Sequence, residues 1–109
     1  MNLNEYQNLA RQTASPKDKK NELFNLLLGI SGEASEIAEK TRKIIRDHDS
    51  DFSKLDTKDL TKELGDVLWH VAILADYFDI ELDTVGTANI EKLASRQQRG
   101  VLNGSGDNR

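Results

Sequence analysis

The chain contains no cysteine. Disulfides, thiolate nucleophiles and sulfur-ligated zinc or iron–sulfur centres are therefore excluded. Proline occurs once, at position 16, so long stretches lack the residue that breaks helices. There are three Phe, two Tyr and one Trp, which leaves aliphatic side chains to build most of any core. No apolar run approaches the ~20 residues of a bilayer span. The opening MNLNEYQNLARQ has neither an apolar stretch nor a cleavage signature, so a cytoplasmic protein with no membrane partner is expected. The net charge is −4 and the basic residues form no single patch, so no nucleic-acid partner is expected. A polyanionic substrate would meet the same repulsion unless cations mediate the contact.

What is present reads as one small globular domain of 109 residues, 37% hydrophobic and 31% charged, a balance that folds rather than stays disordered. A chain of this size buries roughly two-thirds of its unfolded surface, and long thin helices would leave apolar surface for a partner subunit. The spacing predicts four helices. The first runs from about Leu3 to Ala14, with Asn2 as cap, Glu5 at capping-box distance and Ser15-Pro16 as the stop. The second runs from about Asp18 to Arg46, with Leu23, Leu27, Ile30, Ala34, Ile37, Ala38, Thr41, Ile44 and Ile45 as its apolar stripe. Gly29 and Gly32 weaken this helix by about 1 kcal/mol each relative to Ala, unless they admit a close neighbour. Residues 47–56 read as a loop. The third helix, Thr57 to Phe78, carries Leu60, Leu64, Val67, Leu68, Val71, Leu74, Ala75 and Phe78 as its stripe. The fourth starts after Asp83, taken as its cap, and ends at Gly100. The expected architecture is an all-α, four-helix bundle-like domain over residues 1–100, followed by a polar, flexible tail over 101–109.

Two acidic pairs stand out: Glu33 with Glu36 on the second helix, and Glu63 with Asp66 on the third. Each is spaced i, i+3 and so shares one helix face. At about 100° per residue, Glu33 and Glu63 lie at the edge of their stripes, and Glu36 and Asp66 about 60° outside, both on the same side. Either pair alone is common on a solvated face, where Lys40, Arg42 and Lys62 offer partners. The matching offsets set these pairs apart: antiparallel packing through the stripes would bring four carboxylates to one margin. Asp59 and His70 lie on the same edge of the third helix. Unpaired carboxylates ~4 Å apart repel by about 4 kcal/mol at an effective dielectric of 20. They must protonate or hold cations, and an all-oxygen set suits hard divalent ions, Mg²⁺ or Mn²⁺. Such ions would turn an acidic patch into a triphosphate site.

The stretch LLLGISGEASEIAEKTRK, then TKELGDVLWHVAILA, then ANIEKLASRQQRG, resembles the MazG-like nucleoside triphosphate pyrophosphohydrolases, whose signature is ExxE followed by ExxD. The gap between Glu36 and Glu63 is 26 residues, 37 to 62, within the family's range. The resemblance implies an all-helical homodimer or homotetramer. It also implies hydrolysis of a nucleoside triphosphate to the monophosphate and pyrophosphate, serving nucleotide-pool control or house-cleaning. By the same resemblance Glu33, Glu36, Glu63 and Asp66 are the metal-binding and catalytic residues. One position departs from the pattern: many relatives carry a second Glu just before the first motif Glu, where this chain has Gly32. The general base stays open between a motif carboxylate and metal activation alone.

Lys40, and Asn89, Lys92 and Arg96 on one face of the fourth helix, are candidate substrate contacts, with Arg suited to bidentate phosphate recognition. Trp69 and Ile73 form a second apolar face on the third helix, expected to pack on another helix or subunit. His48-Asp49 invites comparison with His-Asp phosphohydrolases, but two histidines are too few for that chemistry. The alternatives are a narrower dUTPase-like or phosphoribosyl-ATP pyrophosphohydrolase activity, a non-catalytic nucleotide- or protein-binding module, and a purely structural subunit.

Overall fold

A computed structural model describes residues 1–15 and 19–109. Its four helices are α1 (Leu3–Thr13), α2 (Lys19–His48), α3 (Thr57–Tyr77) and α4 (Leu82–Gln98), with a short 3₁₀ turn at Phe52–Lys54. Among the described residues there is no strand, so the all-α class read from the sequence holds. No helix of the described chain is long and apolar enough to cross a membrane.

Local chemistry accounts for the ends. Asn2 accepts from the Glu5 main-chain N–H at 2.8 Å and donates its amide to the Glu5 carboxylate at 2.8 Å, closing the expected cap of α1. The proposed stop at Pro16 and start at Asp18 lie outside the described residues. α2 runs through Gly29 and Gly32 without a break and stops where Asp49 and Ser50 take φ of 51° and 61°, a conformation Asp tolerates better than most residues. Asp56 caps α3 by accepting from the N–H groups of Lys58 and Asp59 at 2.9 and 3.3 Å. Gly100, at φ 69°, ends α4 as expected, and the Val101 N–H returns to the Arg96 carbonyl at 2.9 Å.

The start of α4 needs correcting. The helix opens at Leu82, and Asp83 lies inside its first turn rather than capping it. The first free N–H groups are satisfied from α1 instead: Leu82 N–H donates to Gln7 Oε1 and Asp83 N–H to Asn4 Oδ1, each at 2.9 Å. A cap supplied by a distant helix leaves no local signal. Gln7 is 6% exposed, and its amide also donates to the carbonyls of Ala72 at 3.1 Å and Ile80 at 2.9 Å. One side chain thus ties α1 to α3, to the turn after it and to α4.

The core lies only partly on the expected stripes, of which Ile44 and Ala75 are buried. Ala10, Leu26, Ala72, Ile73 and Leu82 form the buried cluster, with Tyr6, Ala14, Trp69, Val71, Leu74 and Tyr77 packed around it. Ile73 is 1% exposed, whereas Leu64 is 52% and Leu27 50% exposed. The second apolar face of α3, the one bearing Trp69 and Ile73, packs on α1, and part of the expected stripe remains open. The solvent-accessible surface is 8018 Å², against about 6,100 Å² for a compact monomer of this mass. The radius of gyration, 17.0 Å, likewise exceeds the roughly 13 Å of a compact domain near this length.

Residues 101–109 return along α4. Arg109 donates to the carbonyls of Val101 at 3.1 Å, Leu102 at 2.9 Å and Gly106 at 2.6 Å. Arg96, 4% exposed, donates to the Asp107 carbonyl at 2.6 Å.

Replacing Gln7 with Ala would strand the buried Leu82 N–H and remove the amide donor to the Ala72 and Ile80 carbonyls. We expect Gln7→Ala to lower stability by about 1–3 kcal/mol in urea unfolding, with faster amide exchange at Leu82. A loss under 0.5 kcal/mol would show that water replaces the amide.

Candidate active site

α2 and α3 pack antiparallel, because partners descend along α2 as they ascend along α3. Lys40 meets Asp59, Glu33 meets Glu63 and Asp66, and Gly29 meets His70. The crossing beside Gly29 is tight: a Cβ there would lie 2.2 Å from His70 Nε2. The glycine thus admits the imidazole against the α2 backbone. Gly32 faces open space, with nothing within 4 Å of a Cβ. An acid such as relatives carry would therefore fit there.

This pairing brings one carboxylate oxygen from each of Glu33, Glu63 and Asp66 within 4.8 Å of one another. Glu33 and Glu63 are half-buried and Asp66 is exposed. Glu36, one turn along from Glu33, is exposed and stands outside this group. Four carboxylates were expected to converge; three do, and Glu36 does not, although Asp66, set equally far outside its own stripe, does. Lys40 supplies the counter-charge, 3.5 Å from a Glu63 oxygen and hydrogen-bonded to Asp59. The Asp59 contact raises the Lys40 pKa and lowers that of Asp59. Tyr6 on α1 has its hydroxyl pKa raised, first by burial and then by the charge of Asp66.

The donor set suits a divalent cation. It is all carboxylate oxygen, the chemistry of Mg²⁺ and Mn²⁺ sites.

One turn along α3 from Asp66, a cleft of about 300 Å³ opens between the end of α1, the first half of α2 and α3. Trp69, His70, Asn25, Glu22, Leu26 and Ile73 are among its lining residues. Trp69 donates its indole N–H to Thr13 Oγ1 at 2.7 Å, which fixes the ring plane. The His70 ring meets it edge-on, with centroids 5.0 Å apart. His70 Nδ1 lies 2.8 Å from the Asp66 carbonyl. A carbonyl can only accept, so Nδ1 is the donor in this contact. Asn25 and Glu22 went unnoticed in the sequence, where they sit among polar residues with no motif.

The α4 candidates are placed differently. Among the described residues α4 packs on α1 and α3 and not on α2. Asn89 and Lys92 are exposed, and Lys92 and Arg96 lie 3.7 and 3.6 Å from the Asp107 carboxylate of the tail.

Fold and site together define a small all-helical protein with a carboxylate cluster shared by two antiparallel helices beside an aromatic cleft. Residues 22–101 match the family model of the MazG nucleotide pyrophosphohydrolase domain, and the chain belongs to that family. It is 51% identical over 87 residues to the Gene 37 protein of Mycobacterium phage L5, covering 80% of this chain and 76% of the phage protein. It is 39% identical over 69 residues to the uncharacterized protein YvdC of Bacillus subtilis strain 168, covering 59% of this chain and 65% of that one. No solved structure matches. Nucleotide pyrophosphohydrolysis is the general activity of the family, and its members typically depend on divalent metal.

The two helix glycines should respond with opposite sign. Gly32→Ala is expected to stabilise by about 0.5–1 kcal/mol through helix propensity. Gly29→Ala is expected to destabilise by about 1–3 kcal/mol through overpacking on His70, and to do so no longer in a His70→Ala background. Denaturant unfolding of the set checks this; equal effects at both glycines would refute the close contact.

Proposed function

We propose that the protein hydrolyses a nucleoside triphosphate to the monophosphate and pyrophosphate. The observation that carries this reading is the convergence of Glu33, Glu63 and Asp66 from two helices within 4.8 Å, in a chain of the pyrophosphohydrolase family. On this reading those three residues hold Mg²⁺, or Mn²⁺ in its place, with Glu36 as the fourth ligand. A bound divalent cation offsets the charge of the triphosphate oxygens and makes water a better nucleophile.

The rest falls to the chain's own groups. Water adds to the α phosphorus as the bond to the pyrophosphate oxygen breaks, and its proton passes to a carboxylate oxygen of the cluster. The nucleoside lies in the cleft one turn along α3. At 1.5 Å rise per residue, Trp69 and His70 stand about 5–6 Å along the axis from Asp66, the span between an α phosphate and its base. The Trp69 ring supplies a stacking face, and Asn25 supplies a polar edge. Fixed positions for both ends of the substrate account for much of the expected rate gain.

The reading includes a homodimer or homotetramer. Exposed Leu27, Leu64 and Leu68, and the excess surface noted above, fit a face covered by a second copy. The distal half of α4, with the exposed Asn89 and Lys92, would then contact substrate from a neighbouring protomer; Arg96, buried on the Asp107 carbonyl, would hold the tail rather than the substrate. We expect light scattering to give at least twice the 12.2 kDa chain mass, and Leu64→Ser with Leu68→Ser to reduce it. A wild-type monomer at micromolar concentration would contradict this part.

For the activity, a panel of canonical and modified triphosphates is incubated with Mg²⁺ or EDTA and the products are separated. The expected result is monophosphate and pyrophosphate, lost with EDTA and reduced at least about a hundredfold in Glu63→Gln. Release of diphosphate and inorganic phosphate would contradict the proposed cleavage.

A further inference from the structure

The cation that this chain itself brings to the carboxylate cluster is Lys40. It reaches over from α2 and lies 3.5 Å from Glu63 Oε1 while hydrogen-bonding Asp59, one turn before Glu63 on α3. Its side chain is 26% exposed and that of Glu63 is 17%, so the contact is partly shielded from water and salt. Glu63 also belongs to the three-carboxylate group. The same carboxylate therefore meets a resident ammonium and belongs to the proposed cation position. Resting on the metal-binding role proposed above, this geometry sets up a competition. A divalent ion gains from the negative charge on Glu63, and that charge is already partly spent on Lys40. Asp59 decides how far, because it offers the ammonium a second place to sit.

We propose that Lys40 is the built-in counter-ion of Glu63, competing with a divalent cation for that carboxylate, and that Asp59 is the acceptor that draws it aside. Lys40 offsets part of the charge of Glu63 without metal, and it weakens metal binding by the same contact. Asp59 acts through Lys40 and is a positioning residue. The pair thus sets the divalent concentration at which the site fills. The two side chains are predicted to act in opposite directions: loss of Lys40 tightens the site, and loss of Asp59 loosens it by leaving the ammonium on Glu63.

The test is calorimetric or paramagnetic titration of the full chain with Mn²⁺ alone, without nucleotide. Lys40→Met and Lys40→Gln are each expected to lower the Mn²⁺ dissociation constant by about three- to tenfold. Using both keeps the result from resting on the packing of one variant. Asp59→Asn is expected to raise the constant by about two- to fivefold in the wild-type background and to change it less than about twofold in the Lys40→Met background. Unchanged or weaker binding in both Lys40 variants overturns the proposal. An equal Asp59→Asn effect in both backgrounds overturns the role of Asp59, since the carboxylate would then act only as one more negative charge. If wild type binds Mn²⁺ and Glu63→Gln does not, while the Lys40 variants match wild type, the metal-site reading stands and this inference alone fails. If wild type binds no Mn²⁺, both fall.

Discussion

Like charges held together by helix packing are the constraint on which the rest of this structure depends. Glu33, Glu63 and Asp66 approach one another because α2 and α3 are locked antiparallel, not because the carboxylates attract. At such separations each pair repels by a few kcal/mol at the dielectric of a protein surface. The opposing contributions lie on either side along the same helices. Toward one end, Leu26 and Ile73 join the buried cluster and Gly29 lets His70 lie against α2. Toward the other, Lys40 bridges to Asp59 and Glu63. The acidic centre is thus clamped between an apolar contact and an ion pair, an arrangement ready for a cation.

The clamp needs α3 held from behind, which is the work of α1. Tyr6, Ala10 and Ala14 cover the Trp69 and Ile73 face of α3, and Gln7 spends its amide group on Ala72, Ile80 and Leu82. A buried amide satisfied three times over is specific in a way that apolar packing is not. It fixes where α4 leaves the body, and α4 then runs away from α2. The extended outline and the open leucines follow from this geometry and are the physical basis for expecting a second copy.

Much of this was legible in the sequence, and the reasons differ by element. Helix boundaries came from signals that act locally, Asn2 and Gly100, and these hold in the structure. The start of α4 was misplaced because its cap comes from Gln7 and Asn4, some 75 residues or more away. The offset of the acidic pairs from the stripes led to the expectation that all four carboxylates would meet, since side-chain direction on a helix is set by the 3.6-residue repeat; Glu33, Glu63 and Asp66 do, and Glu36 does not. The core was read less well. α3 is apolar on two faces, and periodicity does not say which of them is covered within one chain. The cleft was invisible because Asn25 and Glu22 belong to no pattern until α2 and α3 are paired.

In this account the carboxylate cluster and the cleft serve one reaction, with water adding at the α phosphorus. Hydrolysis in ¹⁸O-enriched water tests that claim most directly, because the label records which phosphorus was attacked. The account predicts ¹⁸O in the nucleoside monophosphate and none in the pyrophosphate. Label in the pyrophosphate would place the attack at the β phosphorus and contradict it.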